Sequence, residues 1–237
     1  MKVYQKDSLE SYTLGVFVTI ELLENHIDDV ISVILSSKGE KNQGVKKIID
    51  ICTRHHIPCE INDKTIQKLS KKENCYAIGV FKKYETKLDK NLNHVVLVNP
   101  GDMGNLGTIM RTMVGFGIND LAIIRPGVDM YDPKAVRASM GSLFHLRVAY
   151  FDSFEEYLKA YPHHVYCLML KGAKSLFETQ FKAPYSLVFG NESSGLPDEF
   201  LNYGQSVLIN HTNKIDSLNL SMALGITLYE ATKVNFK

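Results

Sequence analysis

A two-part α/β protein, with a small α/β amino-terminal unit ahead of a larger parallel-sheet domain, is the fold class that the 237-residue sequence predicts. Three observations carry this expectation. From residue 94 onward, short unbroken apolar runs such as His94-Val-Val-Leu-Val98, Leu121-Ala-Ile-Ile124 and Tyr185-Ser-Leu-Val-Phe189 alternate with helical periodicity. Apolar strands without polar alternation are buried on both faces, as in a parallel sheet covered by helices. Second, residues 82–93 are polar and aperiodic and read as a linker, which places the units at 1–92 and 93–237. Third, 45% hydrophobic and 22% charged residues describe an ordinary globular chain, long enough to bury one or two cores.

The elements follow in order. Ile31-Ser-Val-Ile-Leu35 is a strand, and residues 44–56 are an amphipathic helix that turns Val45, Ile48, Ile49 and Cys52 inward. Residues 58–61 form a second strand, Asp63 N-caps a helix to Ser70, and residues 76–81 close the unit as a strand. In the larger domain, the strand 94–98 runs through a glycine-rich loop into a helix reaching about Val114. After the strand 121–124, Asp132 and Pro133 supply the N-cap and first residue of a helix through Met140. Residues 165–170, 185–189 and 207–209 are further strands, and a last helix starts near Ser217 and continues to the end.

Composition excludes several classes of function. The net charge is +1, so any contact with nucleic acid must rest on local basic charge. Such a concentration exists in residues 64–90, where eight lysines face Glu73, Glu85 and Asp89, with Tyr76, Phe81 and Tyr84 among them. That segment reads equally as an RNA-docking surface or as a solvated face over buried aromatics. No apolar run approaches the roughly 18 residues of a membrane span, and the first residues lack a signal-peptide core, so a cytoplasmic protein is expected. Cys52, His55, His56 and Cys59 are possible zinc ligands, but no second knuckle accompanies them and the stretch reads better as a helix running into a strand.

Ligands of a parallel α/β sheet bind beyond the carboxyl ends of the strands, and three polar, glycine-bearing loops lie there. They are Asn99-Pro-Gly-Asp-Met-Gly-Asn-Leu-Gly-Thr-Ile-Met-Arg111, Phe189-Gly-Asn-Glu-Ser-Ser-Gly-Leu-Pro197 and Ile209-Asn-His-Thr-Asn-Lys-Ile-Asp-Ser-Leu-Asn-Leu-Ser221. The glycine spacing of the first matches neither a dinucleotide nor a phosphate-loop motif. Asn191 two residues before Ser193 breaks the hydrolase elbow in the second.

Together the loops resemble the three motifs of the SpoU (TrmH-type) branch of the SPOUT methyltransferases. Asn105 and Arg111 match the first motif, Leu187-Val-Phe-Gly-Asn-Glu-Ser-Ser-Gly-Leu196 the second, and Ile209 with Ser217-Leu-Asn-Leu-Ser221 the third. The stretch 132–144 resembles a segment between motifs, and residues 1–92 more loosely resemble the family's amino-terminal RNA-binding domain. The chain departs from the family at Asn210-His211, where Pro-Met is usual, and at Ser193, where Gly is common. Both changes are expected to be tolerated, because main-chain groups make most of the family's cofactor contacts.

The resemblance implies an enzyme that methylates a ribose 2′-hydroxyl in RNA with S-adenosylmethionine, in ribosomal RNA more readily than in transfer RNA. A catalytically silent RNA-binding protein on the same scaffold is the alternative from another class. The implied cofactor contacts are Gly190, Ile209 and Leu218; the implied catalytic residues are Arg111, Asn105, Glu192, Ser217 and Asn219. Arg111, whose guanidinium stays protonated, suits phosphate fixation and alkoxide stabilisation better than proton removal. Asn105 could cap its helix, and Arg111 is the expected partner of Glu192. The resemblance further implies a carboxyl-terminal trefoil knot and an obligate homodimer; no metal and no membrane are expected.

Overall fold

The computed structural model describes residues 3–70, 74–171 and 173–236. In chain order the first elements are β1 (Glu10–Tyr12), α1 (Val16–Asn25), β2 (Val30–Leu35), α2 (Gln43–Arg54), β3 (Cys59–Ile61), α3 (Asp63–Leu69) and β4 (Ala77–Lys82). They continue with β5 (His94–Val98), α4 (Met103–Gly115), β6 (Asp120–Ile124), α5 (Pro133–Ala138), β7 (Arg147–Phe151), α6 (Phe154–Ala160) and β8 (His164–Leu168). The last are β9 (Lys174–Ser175), β10 (Tyr185–Phe189), β11 (Gln205–Leu208) and α7 (Leu220–Thr232). Among the described residues no helix is long and apolar enough to cross a membrane.

The chain divides into two compact units, but not at residue 92. The first takes Met1–Tyr84 with Asp129–His145, and the second takes Glu85–Val128 with Leu146–Lys237. Two interactions correct the linker reading of 82–93. Leu88 is buried in the core of the second unit, and Thr86 both donates to the Val148 carbonyl and accepts from the Val148 N–H. Residues 129–145 depart from the second unit because Tyr131 is held in the first. Its carbonyl accepts from the Ser11 hydroxyl at 2.5 Å and its hydroxyl accepts from Tyr84 N at 3.1 Å.

In the first unit a four-stranded sheet runs β1-β4-β2-β3, with β2 and β3 parallel and the other pairs antiparallel. Alternation along β2 sends Val33 and Leu35 into a cluster with Ile48 and Cys52 of α2, and Ile34 into one with Ile66 and Leu69 of α3. Asn62, not Asp63, caps α3, accepting from Thr65 N, while the Asp63 carboxylate accepts from Ser36 Oγ, Ser37 N and Ser37 Oγ. Those hydroxyls hold the Asp63 carboxyl below its usual range.

The lysine-rich segment is less available than its composition suggests. Phe81 is fully buried, and Tyr84 stacks on His26 with ring centroids 4.1 Å apart, so neither is a platform for bases. Lys83 donates to the Lys6 carbonyl at 2.7 Å and lies over the Tyr4 ring. Lys64, Lys68, Lys82, Lys87 and Lys90 are exposed; Lys71 and Lys72 lie outside the described residues. Among the described residues no three His, Cys, Asp or Glu side chains gather to hold a metal ion, the Cys52–Cys59 stretch included.

The second unit is built on a seven-stranded sheet in the order β7-β6-β5-β10-β8-β11-β9, every pair parallel. Val95 and Leu97 of β5, like Val96, are fully buried, as the unbroken apolar run predicts. At the amino-terminal ends of the central strands lies a buried polar network. The Asp120 carboxylate accepts two bonds from Arg147, at 2.8 and 2.5 Å, and one from Asp89 N. His94 donates from Nε2 to the Asp89 carbonyl at 2.9 Å and accepts at Nδ1 from the Tyr157 hydroxyl at 2.8 Å. The carbonyl fixes a proton on Nε2, and burial favours the neutral ring, whose Nδ1 can accept from the hydroxyl.

Burial pushes the His94 imidazole below its ordinary value of 6.5. The unfolded chain therefore takes up this proton at higher pH than the folded one. The stability tied to neutral His94 is intact above about pH 6.5 and is lost as pH falls toward the lowered folded value. Urea unfolding at pH 7.5 and 5.5 should show a fall that reaches at most about 1.4 kcal/mol per pH unit from this group. His94→Gln, which does not titrate, should flatten that part of the profile, and an unchanged profile would place the proton elsewhere.

Candidate active site

β5 and β10 are neighbours at the centre of the second sheet; β6 and β7 extend from β5, whereas β8, β11 and β9 extend from β10. The loops that leave these two strands therefore diverge and open a crevice at their carboxyl ends. Asn99 follows β5, and its φ of 52° turns the chain out of the sheet. Asn191, two residues beyond β10, donates from Nδ2 to the Asn99 carbonyl at 2.8 Å and joins the two loops.

Glu192 makes the junction rigid. Its carboxylate accepts from Gly101 N at 2.9 Å, Asp102 N at 3.2 Å and Asn105 Nδ2 at 3.3 Å. A carboxylate is favoured here because the N–H groups at the entry to α4 carry partial positive charge. Asn105 in turn accepts at Oδ1 from Asn219 Nδ2 at 3.3 Å, which brings the third loop into the same chain of bonds. Asn219 uses its own Oδ1 to cap α7, accepting from Ser221 N at 2.9 Å and Met222 N at 3.4 Å.

Three expectations are corrected by this geometry. Asp102 caps α4, because its extended backbone lets its carboxylate reach Asn105 N at 2.7 Å; Asn105 is thereby freed to meet Glu192. Glu192 is matched by loop N–H groups and Asn105, not by Arg111, which has no hydrogen bond or ion pair among the described residues. Arg111 is exposed on α4, about 9 Å farther along the helix axis than Asn105 at 1.5 Å per residue. Finally, α7 opens at Leu220, so Ser217 lies ahead of the helix, exposed at the rim of a cavity.

That cavity has a volume of about 400 Å³ and is walled by Gly190, Glu192, Ile209, Ser217 and Leu218 together with Leu168, Phe189 and His211. All three residues expected to contact cofactor thus share one wall. Arg111, Asn105 and Asn219 are outside it, the latter two joined to it through Glu192. The loop after β10 is folded tightly. Asn191 Oδ1 accepts from Ser193 N and Ser194 N, and Gly195, at φ 66°, donates its N–H to the Asn191 carbonyl at 2.9 Å. A Cβ on Gly190 would lie 2.1 Å from the Gly195 carbonyl carbon, a backbone approach that only glycine permits.

Sequence reasoning passed over Lys171 and Asp198 of this wall and over Ser175 and Asp102 near it. Lys171 pairs with Asp198 at 2.5 Å, and Ser175 donates to Asn210 Oδ1 at 2.5 Å. Asp102 had a visible signal, since an acidic residue just ahead of a helical run reads as an N-cap. Lys171 and Ser175 had none, because their partners are distant in the chain.

Residues 93–229 match the profile of the SpoU rRNA Methylase family. The chain belongs to that family. A Listeria innocua protein named as a candidate tRNA (cytidine(34)-2′-O)-methyltransferase is 32% identical over 148 residues, 60% of this chain and 87% of that protein. The 23S rRNA (uridine(2479)-2′-O)-methyltransferase of Streptomyces viridochromogenes is 31% identical over 148 residues, 59% of this chain and 52% of that protein. The matched stretch thus spans about half the length of some of the curated relatives. In fold, the chain is similar to the crystal structure of the SpoU methyltransferase AviRb from Streptomyces viridochromogenes in complex with the cofactor AdoMet. The TM-score is 0.82 at 22% identity, covering 97% of this chain and 91% of that one.

The packing around Gly190 gives a physical reason for glycine at this position. Gly190→Ala should cost about 1–3 kcal/mol, the usual penalty for forcing atoms into a filled site. It should also displace residues 191–196. Urea midpoints together with amide exchange of Ser193, Ser194 and Gly195 would register both effects, and wild-type protection in the variant would refute the close approach.

Proposed function

We propose that this protein is an RNA methyltransferase that moves a methyl group from S-adenosylmethionine to a ribose 2′-hydroxyl, most readily in ribosomal RNA. What carries the reading is the meeting of the three motif loops of a SpoU-family chain at one cavity, through Glu192, Asn105 and Asn219. The cavity suits a nucleoside. It offers an apolar wall of Leu168, Phe189, Ile209 and Leu218 beside a tight turn in which Gly195 has open space where a side chain would stand.

When bound, S-adenosylmethionine supplies a methyl group on positively charged sulfur, already activated for in-line displacement. Main-chain groups at Gly190, Ile209 and Leu218 would hold its adenosine part. Arg111, free of internal partners, fixes the phosphate next to the target ribose and stabilises negative charge building on the 2′-oxygen. The hydroxyl proton leaves to water or by way of Ser217 at the cavity rim. Asn105 and Asn219 orient the loops, and Glu192 holds them in register instead of acting as a base, since its oxygens are already engaged.

Ribosomal RNA is favoured over transfer RNA by the unit that precedes the motifs. The match to the tRNA-named Listeria relative uses 87% of that protein and 60% of this chain, so that relative has little to set against this unit. AviRb matches 97% of this chain. Exposed Lys64, Lys68 and Lys82 on the first unit offer phosphate contacts. A homodimer belongs to the same reading. Met222, Ile226 and Tyr229 follow one another at four and three residues along α7, exposed as an apolar stripe that suits a second copy. The reading also includes the carboxyl-terminal trefoil knot, a cytoplasmic site of action, and a reaction without metal.

Mapping 2′-O-methyl groups in total RNA from cells with and without the protein tests the activity and its substrate together. At least one ribosomal position should lose its methyl group; a loss confined to transfer RNA would transfer the substrate, and no loss would reject the enzyme. Arg111→Ala should lower methyl transfer at least 100-fold, in line with removal of a transition-state donor, while calorimetric affinity for S-adenosylmethionine stays near wild type. Equal loss of both would put Arg111 in the cofactor pocket.

A further inference from the structure

We infer that Cys52 and Cys59 form a site of reversible oxidation, in which Cys59 is attacked by a peroxide and Cys52 closes the disulfide. The fold brings the two thiols together across a turn. α2 ends at Arg54, the Ile57 N–H donates to the Cys52 carbonyl at 2.9 Å, and His56, at φ 56°, turns the chain back toward the sheet. In the parallel pair of β2 and β3, Cys59 is the register partner of Val33, so both side chains leave the same face. That face is the one α2 covers, because Val33 and Cys52 lie in one buried cluster. There the Cys52 thiol donates a hydrogen bond to the Cys59 sulfur.

The two thiols differ as a reactive pair requires. β3 is the edge strand of its sheet and Cys59 is exposed, whereas Cys52 is buried. The bond from Cys52 holds the Cys59 thiol below its ordinary value of 9.0, and the same bond, with burial, raises Cys52. Cys59 is therefore the sulfur that a peroxide meets as thiolate, and Cys52 keeps its proton until the second step. In the first step the Cys59 thiolate attacks one oxygen of hydrogen peroxide, the O–O bond breaks, and a sulfenic acid and hydroxide form. In the second, Cys52 gives up its proton, its sulfur bonds to Cys59, and the sulfenic hydroxyl leaves as water. Two electrons pass from the pair of thiols to the peroxide. Cys75 and Cys167 are buried, and burial pushes both thiols up, Cys167 to about 12, so neither competes.

Mass spectrometry of the whole chain decides it. Reduced protein is treated with hydrogen peroxide, then unfolded in N-ethylmaleimide and weighed. The chain has four cysteines, so four adducts before oxidation should become two, and dithiothreitol should restore four. Trypsin cuts after Arg54, so the disulfide should appear as a link between peptides 48–54 and 55–64. In Cys59→Ser, loss of the Cys52 thiol should slow at least about tenfold, because the attacking thiolate is gone. In Cys52→Ser, dimedone should trap a sulfenic acid on Cys59. Four adducts that survive peroxide, loss that begins at Cys75 or Cys167, a link between two chains, or oxidation that dithiothreitol does not reverse would each overturn the inference. All four outcomes are read on the wild type, so they stand even if a variant fails to fold. Unchanged oxidation of Cys52 in a folded Cys59→Ser would overturn it as well.

Discussion

The Glu192 carboxylate, seated against the N–H groups of Gly101 and Asp102, is the contact on which the geometry of the site depends. It couples the loop after β10 to the start of α4, and Asn105 and Asn219 extend the coupling to the start of α7. Each bond joins residues about 90 or more positions apart in sequence, so the site forms only when the sheet has placed β5 beside β10. Removing the carboxylate would leave helix-end donors unmatched and the loops joined only through Asn191 with Asn99 and Asn219 with Asn105.

The two ends of the second sheet divide the work. At the amino-terminal ends, the buried Asp120, His94 and Tyr157 are hydrogen-bonded to one another's neighbours and to the partly exposed Arg147. At the carboxyl-terminal ends, Ser217 is exposed at the cavity rim, and farther along α4 the Arg111 side chain has no hydrogen bond or ion pair among the described residues. A hydrogen-bonded base and a rim of exposed polar groups leave the carboxyl-terminal side of the sheet as the side where a ligand can be met.

Where sequence reasoning missed an element, local preference and tertiary demand disagreed. α1 begins Val16-Phe-Val-Thr-Ile, a β-branched run with Gly15 ahead of it and no side-chain cap; its burial against α2 supplies what propensity does not. β7 and α6 also went unread, though Ser153 with Glu156 three residues on is a capping signal, and Ser153 does accept from Glu156 N. Residues 82–93 looked like a linker because Leu88 is its one apolar anchor, and a single buried leucine leaves no periodicity.

The sequence alone determined the strands β2, β4, β5, β6 and β10, the cap at Asp132 and the three polar loops beyond the strands. Those depend on local order: unbroken apolar runs, capping chemistry and residue spacing. Only the tertiary structure decided that residues 129–145 leave one unit for the other, that Asp102 caps α4 while Asn105 serves Glu192, and that Arg111 stands free. The reason is the same in each case: a hydrogen bond is satisfied by whichever partner the fold brings within about 3 Å, and the linear sequence holds no record of that distance.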